Sequence, residues 1–500
     1  MNLHWHRRDL RLDDNLGLTA STASAPTLPV FVFDPEVLTH AAPPRVSFLV
    51  DSLSTLRSAY RERESDLLLV CGQPETVIPT LADILDPDTV TWCRDYSGLA
   101  RKRDTAVRHE LAERNVERRS VDDAVHHPPG EITTNDGNPY RVFTYFSKKW
   151  HDRPKADPAE SPPVDKLVSL DTSELTVDIS EKTVDTSEAT IDISEEIENI
   201  DGITRFEDVP TVDELGFDEP EADVPPGGTD VARERLHSFC EDDIYRYADR
   251  RDYPADDCTS RLSPHLKYGT IGIREVYAAT DRASADARSE SERDSVYEFQ
   301  DQLAWREFYT QVLWDRPDVV TANFKTYENP IEWRTDEEGL QAWKDGETGY
   351  PIVDAGMRQL RAEAYVHNRV RMIVASFLTK DLLVDWREGY EWFCEKLVDH
   401  DTANDNGGWQ WAASTGTDAQ PYFRIFNPTT QGERYDPDAT YIRRYVTELD
   451  GVPADVIHSW PDLEPGVRTM HAPEYPEPVV DHSDRRKEAI AMFERARGGN

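Results

Sequence analysis

The sequence predicts an α/β domain followed by an all-α domain, joined by a long linker. Three observations predict this order. Short apolar runs alternate with amphipathic stretches over residues 1–130, an acidic stretch with an internal repeat lies within residues 131–231, and apolar residues at helical spacing fill residues 232–490. A chain of 500 residues is long enough to bury a separate core in each domain.

The first 130 residues predict a doubly wound, parallel-sheet domain. Pro29–Phe33, Leu67–Val70 and Thr89–Trp92 are apolar runs typical of buried parallel strands, and Ser47–Tyr60 and Tyr96–Arg114 have the pattern of the intervening helices. No GxGxxG or Walker loop follows any of these strands, so nothing indicates dinucleotide or ATP binding there.

The linker contains a repeat. DTSELTVDISE at Asp171–Glu181 recurs as DTSEATIDISE at Asp185–Glu195. Two acidic copies are too few for a solenoid, so the repeat predicts a hydrated insertion, with a small edge hairpin of its TVDIS and TIDIS cores as the alternative.

The remaining chain predicts a helical domain large enough for an internal cofactor cavity. The helical pattern is interrupted at Pro330, Gly346–Pro351 and Asn427–Pro428. The segments with apolar residues at 3.6-residue spacing are Val296–Trp314, Gly356–Glu363, His367–Leu383 and Glu388–Leu397.

Composition narrows the class of protein. The formal charge of −41 indicates a hydrated acidic surface of the kind expected in a salt-loving organism, and it repels polyanions unless salt or a basic patch intervenes. Five cysteines without a CxxC motif predict neither a disulfide framework nor a metal site. The sequence has no signal-peptide pattern and no apolar run long enough for a membrane span, so we expect a cytoplasmic protein.

The stretch Asp399–Trp411, DHDTANDNGGWQW, narrows function furthest. Two indoles beside a Gly-Gly pair and a run of acids and amides are unusual in an ordinary core. Together they favour a pocket for a flat, polar aromatic molecule.

Two helical faces carry similar chemistry, because residues three and four apart lie side by side on a helix. Gln302, Trp305, Arg306 and Tyr309 share one face, and Asn368, Arg371 and Met372 share another. Tyr247 and the segment Thr259–Pro264, TSRLSP, add hydroxyl groups suited to an anion. Basic residues in the same segments are candidates for a phosphate-binding rim or, alternatively, acid-paired structural residues: Arg251, Arg306, Arg369 and Arg424.

These segments resemble the photolyase/cryptochrome family, specifically the class I photolyases of cyclobutane pyrimidine dimers, and the acidic charge suggests a halophilic archaeon. The motifs that carry the resemblance are WHRRDLRLDDN, TSRLSPHLKYG, AWREFY, TGYPIVDAGMRQL, HNRVRMIVASFLTKDLLVDWREG and NGGWQWAASTGTDAQPYFRIFNPTTQG. The resemblance implies a Rossmann-like antenna domain, a wrapping linker and a helical domain that binds FAD. It also implies a light-dependent lyase that acts, as a monomer without an obligate protein partner, on UV-damaged DNA.

The resemblance assigns roles residue by residue. It implies FAD contacts from Tyr247, Thr259, Ser260, Arg261, Leu262, Ser263, Gln302, Arg306, Tyr309, Asn368, Arg371, Asp399, His400, Asp401 and Asp405. It implies that Gln302, Trp305, Met372, Asp405 and Trp411 face the extruded dimer or the reacting part of the cofactor. Trp333, Trp386 and Trp409 match an electron relay, and Arg251, Arg306, Arg369 and Arg424 match contacts to the DNA backbone.

A second chromophore is also implied. Asp34, Arg45, Asp95 and Lys267 match the pattern for 8-hydroxy-deazaflavin, although Ser97 replaces an acid expected there. Methenyltetrahydrofolate is the alternative antenna.

Two residues depart from the family pattern and keep two alternative functions open. Gln302 stands where dimer-repairing relatives usually carry Glu, and (6-4) photolyases and cryptochromes often carry Gln. Asp405 stands where repair enzymes usually carry Asn, and plant cryptochromes carry Asp. A cryptochrome-like blue-light photoreceptor and a (6-4) photolyase are therefore the alternatives to the dimer lyase.

Overall fold

The computed structural model describes residues 1–171, 176–178, 190–192 and 202–498. Its main sheet has six strands in the order β5-β4-β1-β2-β3-β9; β1 to β5 are mutually parallel, and β9 is antiparallel to β3. The strands are β1 Asn2–His6, β2 Thr27–Phe33, β3 Leu68–Cys71, β4 Thr89–Cys93, β5 Glu117–Val121, β6 Leu170–Asp171, β7 Thr176–Asp178, β8 Thr190–Asp192 and β9 Thr204–Phe206.

Helices cover this sheet and complete the α/β domain. Apolar residues of the central strands are fully buried, among them Leu3, Val30, Val70 and Trp92. The helices are Leu16–Thr22, Pro35–Leu38, Pro43–Arg61, Pro74–Leu85 and Gly98–Glu113. The predicted strands and helices of this domain are confirmed to within a few residues, because continuous apolar runs of four to seven residues are typical of strands covered on both faces.

Different segments of the linker pack against each of the two domains. Its helix Phe143–Asp152 buries Phe146 and Trp150 in the same cluster as Phe299 and Leu303 of the helical domain. In contrast, β9 pairs with β3 of the α/β domain. Within the repeat, β7 pairs with β8 through Val177 and Ile191, in a small sheet with β6 that is separate from the main sheet.

The described residues of the C-terminal domain form helices joined by irregular segments and contain no strand, as predicted. A tryptophan-rich core lies at its centre, with Trp343, Trp386, Trp409 and Trp460 buried together. No described helix is both long and apolar enough to cross a membrane. The helices are Thr229–Glu241, Tyr247–Arg250, Ser263–Tyr268, Ile273–Asp286, Glu290–Asp315, Glu337–Asp345, Pro351–Glu363, Asn368–Ser376, Trp386–Lys396, Thr402–Ala412, Pro428–Tyr435, Thr440–Tyr445, Ala454–His458, Pro465–His471 and His482–Ala496.

Candidate cofactor and substrate site

A buried ion pair joins two of the predicted site segments. Nη2 of Arg371 lies 2.7 and 3.0 Å from the two carboxylate oxygens of Asp399, and Oγ of Ser263 donates to Asp399 at 2.6 Å. Burial alone would lower the pKa of Arg371, but the carboxylates of Asp399 and Asp405 raise it, so this guanidinium stays charged. The pair fixes the start of the helix Asn368–Ser376 against the segment that leads into Thr402–Ala412.

Asp401 caps the helix Thr402–Ala412 and reaches the other domain. One of its oxygens accepts from the backbone N–H groups of Ala403 and Asn404, both at 3.1 Å. Its second oxygen accepts from Nη2 of Arg8 at 2.6 Å. Burial alone would raise the pKa of Asp401, but Arg8 and then Lys267 hold it well below its ordinary value. Asp401 is therefore an anion whose charge is balanced from the α/β domain.

Asp405 is buried and surrounded by groups that can donate hydrogen bonds. Its Oδ2 lies 2.7 Å from Nδ1 of His400 and accepts from the backbone N–H of Asp401 at 3.2 Å. Its Oδ1 lies 3.5 Å from Nη1 of Arg371. The other ring nitrogen of His400, Nε2, lies 3.3 Å from Sγ of Cys394. Burial lowers the pKa of His400 despite the nearby carboxylate of Asp405.

The Gly-Gly pair of the same helix has two different functions. A Cβ on Gly407 would lie 2.2 Å from the ring of Tyr309, so glycine is needed there for close packing. A Cβ on Gly408 would meet nothing within 4 Å, and this glycine is exposed. Gly408 therefore faces open space, which is called the recess below.

The helix crossing brings the two predicted wall tryptophans toward each other. Leu313 packs near Ala403, and Tyr309 packs on Gly407, so Glu290–Asp315 runs antiparallel to Thr402–Ala412. Continued by one turn, this antiparallel register brings the backbone positions of Trp305 and Trp411 level with each other on the two helices.

Side chains around the recess remain accessible. Trp305 and Trp411 are half-buried, and Trp305 stacks on Phe143 of the linker at 3.7 Å with 10° between the ring planes. Asn368 is exposed, with its Nδ2 3.9 Å from Sδ of Met372. Aromatic surfaces that keep solvent access inside a folded domain are suited to stacking against a flat ligand.

The TSRLS segment supplies hydroxyl groups near the same ion pair. Arg261 has a left-handed backbone with φ of 48°, and Thr259, Ser260 and Ser263 all keep some solvent exposure. Tyr247 is buried, and burial raises its pKa to about 12, so it is neutral. Leu262 is buried in the apolar cluster beneath the segment.

Tyr365 is a site residue that the sequence analysis missed. Its ring lies 5.0 Å from the guanidinium carbon of Arg261 and 5.5 Å from that of Arg371. A tyrosine held between two site arginines provides a further flat face. Tyr365 lies two residues before His367, which begins the motif HNRVRM, and this proximity was the signal in the sequence that could have identified it.

The three tryptophans predicted to form an electron relay lie in one apolar cluster. Trp409 and Trp386 are buried, and Trp333 is partly exposed at the edge of the cluster. A Cβ on Gly389, which lies one turn after Trp386, would meet the ring of Trp409 at 2.1 Å, so glycine allows these two helices to approach closely.

The four arginines predicted to bind DNA differ in their availability. Arg251 pairs with Glu298 at 2.8 Å, and Arg369 pairs with Asp252 at 2.6 Å. Arg306 donates to the backbone carbonyls of Ala124 and Leu266, at 2.6 and 3.2 Å. Arg424 is exposed. Gln302, near the recess, donates to the carbonyl of Glu298 at 3.1 Å.

A cavity of about 270 Å³ lies between the two domains and brings together Asp34, Arg45, Asp95 and Lys267. Arg306, His400 and Asp401, which were predicted to contact FAD, line the same cavity. It opens at the carboxyl ends of β1, β2 and β4, where the strand order reverses and where open α/β sheets commonly bind ligands. Burial and the charge of Arg8 lower the pKa of Lys267 to about 8. Arg8, also missed by the sequence analysis as a site residue, lines this cavity and contacts Asp401, so it belongs to both sites.

The residues of the first site fit a flavin dinucleotide. The recess beside Gly408 can accept a ring, Arg371 with Asp399 and Asn368 offers donors and acceptors for its edge, and the TSRLS hydroxyls with Arg261 suit phosphates.

Comparison with known proteins agrees with this geometry. Residues 2–164 match the family described as DNA photolyase, and residues 299–495 match the FAD binding domain of DNA photolyase. The deoxyribodipyrimidine photo-lyase of Halobacterium salinarum is 59% identical, with 100% of each chain covered.

Two solved structures share the fold. The bacterial class III photolyase of Agrobacterium tumefaciens has a TM-score of 0.82 and 33% identity, over 99% of this chain and 98% of that one. The archaeal photolyase of Sulfolobus tokodaii, solved with two FAD molecules, has a TM-score of 0.77 and 31% identity, over 99% of this chain and 100% of that one.

Proposed function

The chain belongs to the DNA photolyase family, and we propose that it is a light-dependent deoxyribodipyrimidine photo-lyase that splits cyclobutane pyrimidine dimers in UV-damaged DNA. The full-length 59% identity to a relative of that name carries the proposal. The open space at Gly408 supports it, because a dimer inside a duplex is inaccessible and must be extruded into a recess of the protein.

Reduced FAD, when bound, supplies an electron to the dimer under blue light. The chain's own residues bind and orient the cofactor and the dimer, and they exclude water from the site. Arg371 and Asp399 would hold the cofactor edge, and the TSRLS hydroxyls would hold its phosphates. Trp305 and Trp411 stack on the extruded bases, which recovers roughly 1–3 kcal/mol per base. Met372 and Gln302 border the same space.

Asp405 and its neighbours set the local charge. A carboxylate beside a reduced, anionic ring is unfavourable by itself. The contacts of Asp405 with Arg371 and His400 offset this cost, because a cation and a possible proton donor both face the carboxylate. The chain's Asp is therefore compatible with repair, and the cryptochrome-like photoreceptor stays the alternative that experiment must distinguish.

We assign the second chromophore to the interdomain cavity. 8-Hydroxy-deazaflavin is our proposal because Asp34, Arg45, Asp95 and Lys267 line that cavity together. Methenyltetrahydrofolate is the alternative, and the Sulfolobus tokodaii photolyase, whose second FAD is described as a novel light-harvesting cofactor, adds another flavin as a candidate. We further propose that the chain consists of an α/β domain at residues 1–130, a linker at 131–231 and a helical domain at 232–490. We also propose that it acts as a monomer without an obligate protein partner.

The test is a repair assay. The reduced protein is illuminated with an oligonucleotide that contains one thymine dimer, and the recovery of thymine absorbance is followed, with a dark sample as the control. We expect light-dependent recovery with the cyclobutane dimer and none with a (6-4) photoproduct. Recovery with the (6-4) product alone would assign a (6-4) photolyase, and light-dependent absorbance changes of the flavin without any repair would assign a photoreceptor.

A further inference from the structure

Three of the four arginines predicted to bind DNA are already engaged by other groups of the protein. Arg251 and Arg369 are paired with carboxylates, and Arg306 is occupied by two backbone carbonyls. Of the four predicted arginines, Arg424 alone is fully exposed. A protein of charge −41 needs a local basic surface to hold a polyanion, so other cations must contribute.

The linker helix Phe143–Asp152 presents such a surface. Its inner face buries Phe143, Phe146, Ser147 and Trp150. On the outer face, Tyr145 is 60% exposed, and Lys148 and Lys149 follow it at the i+3 and i+4 positions that share a helix face. Arg141, just before the helix, is exposed as well.

These cations have no acidic partner within the part of the chain that the structure describes. The salt bridges of this segment join His151 to Asp301 and Arg153 to Glu131. No described carboxylate lies within 4.0 Å of the side-chain nitrogens of Arg141, Lys148 or Lys149. Other exposed arginines, among them Arg118, Arg434 and Arg486, also lack an ion pair within the described residues, so what distinguishes the linker-helix cations is their position beside Trp305.

The helix also lies at the edge of the recess. Phe143 stacks on Trp305, and its backbone N–H donates to Asp418 at 2.9 Å. The carbonyl of Arg141 accepts from Oγ1 of Thr417 at 2.9 Å. The loop that provides these two contacts continues to the exposed Arg424. The linker helix is therefore attached both to Trp305 and to the start of the loop that carries Arg424.

We propose that Arg141, Tyr145, Lys148 and Lys149 form a DNA-backbone contact surface that holds the duplex beside the extruded dimer. This inference deepens the proposed function and rests on it. Lysine and arginine side chains bind phosphates without reading sequence, so the surface serves damaged and undamaged duplex equally. Tyr145 adds a hydroxyl that can donate to a phosphate oxygen.

The test is the salt dependence of DNA binding by the Lys148→Gln/Lys149→Gln variant. Affinity for undamaged duplex is measured over a salt range in which far-UV circular dichroism stays constant. Each lost phosphate contact reduces the slope of log affinity against log salt by about 0.9, so we expect a reduction of about 1.8. Repair of the dimer at limiting DNA should slow in proportion to the lost affinity.

A matched variant, Lys102→Gln/Lys344→Gln, removes the same charge from other helices and should leave the slope unchanged. The proposal is overturned if the Lys148 and Lys149 variant keeps the wild-type slope, or if both double variants lose the same amount. Failure of the proposed function would look different, because the wild-type protein itself would then show no repair at any salt concentration.

Discussion

Arg8 and Asp401 form an ion pair of 2.6 Å between the α/β domain and the helix N-terminus of the cofactor site. Both side chains are largely buried, and Arg8 also lies 3.4 Å from Asp95 in the interdomain cavity. One guanidinium therefore contacts an acid of each proposed chromophore site. The pair is a physical link between the place that would gather light and the place that would use it.

Removing this link should weaken the cofactor site. Arg8→Gln leaves the buried Asp401 without its closest cation, and we expect a loss of roughly 3 kcal/mol in the free energy of unfolding. The pKa of Asp401 is held well below 3.8, so the pair's contribution is present above about pH 4 and is lost only in stronger acid. Urea unfolding at pH 7 measures the loss. Arg8→Lys keeps the charge and should lose much less, and equal losses in the two variants would contradict an electrostatic origin.

Glu307 gives stability a predicted pH dependence. This buried carboxyl accepts from the N–H groups of His126, His127 and Trp150, and burial raises its pKa from 4.5 to about 7. A raised pKa means that its contribution is full below about pH 4.5 and is lost as the pH rises through about 7. Glu307→Gln removes this titration, so its destabilisation relative to wild type should shrink by about 3 kcal/mol from pH 4 to pH 8.

Denaturant unfolding at several pH values measures this difference. Glu298→Gln is the control, because this half-exposed carboxylate lies on the same helix, and it should change stability by less than about 1 kcal/mol at every pH. A destabilisation by Glu307→Gln that is the same at pH 4 and pH 8 would rule out the shifted carboxyl.

The two glycines of the Gly-Gly pair should respond oppositely to alanine. Gly407→Ala pushes a Cβ into the ring of Tyr309 and should cost about 1–3 kcal/mol of stability through overpacking. Gly408→Ala meets no protein atom and should raise the stability of the cofactor-free protein by up to about 1 kcal/mol, since alanine favours the helix. Its methyl group enters the recess, so it should reduce bound flavin, measured as visible absorbance after gel filtration. Undiminished flavin in Gly408→Ala would place the ring elsewhere.

The local sequence pattern predicted most of the helices and strands of the fold. It did not predict contacts between segments that are distant in sequence. The strands β2, β3 and β4 are apolar runs, whereas β5, ERRSV, is an exposed edge strand without such a run and was not predicted. The pairing of β9 with β3 could not be predicted because three linker residues carry no period.

The same division holds at the site. The pairing of Arg371 with Asp399 was implied by the motifs, and the structure brings these two side chains together. The stacking of Phe143 on Trp305 joins residues far apart in sequence, and no local spacing indicates it. Similarly, Arg251 and Arg369 form ion pairs with carboxylates that only the tertiary structure brings close. The sequence therefore could not distinguish arginines with a structural ion pair from those without one.

The tryptophan relay predicts a variant that loses photoreduction and keeps repair. Trp386→Phe should slow light-driven reduction of the oxidised flavin by at least about tenfold, a barrier change of 1.4 kcal/mol or more, because phenylalanine is harder to oxidise than tryptophan. Repair by chemically reduced protein should be unchanged. Trp343→Phe is the control, since Trp343 lies 6.0 Å from Trp409 but outside the predicted relay. Equal slowing by both substitutions would contradict the relay.

The decisive measurement is the visible absorption spectrum of the purified protein, with the released cofactor quantified after denaturation. We expect a yellow or blue protein that releases FAD in an amount equimolar with the chain. A colourless protein that takes up no FAD on incubation would contradict the proposed function, because every proposed role of the recess depends on a bound flavin.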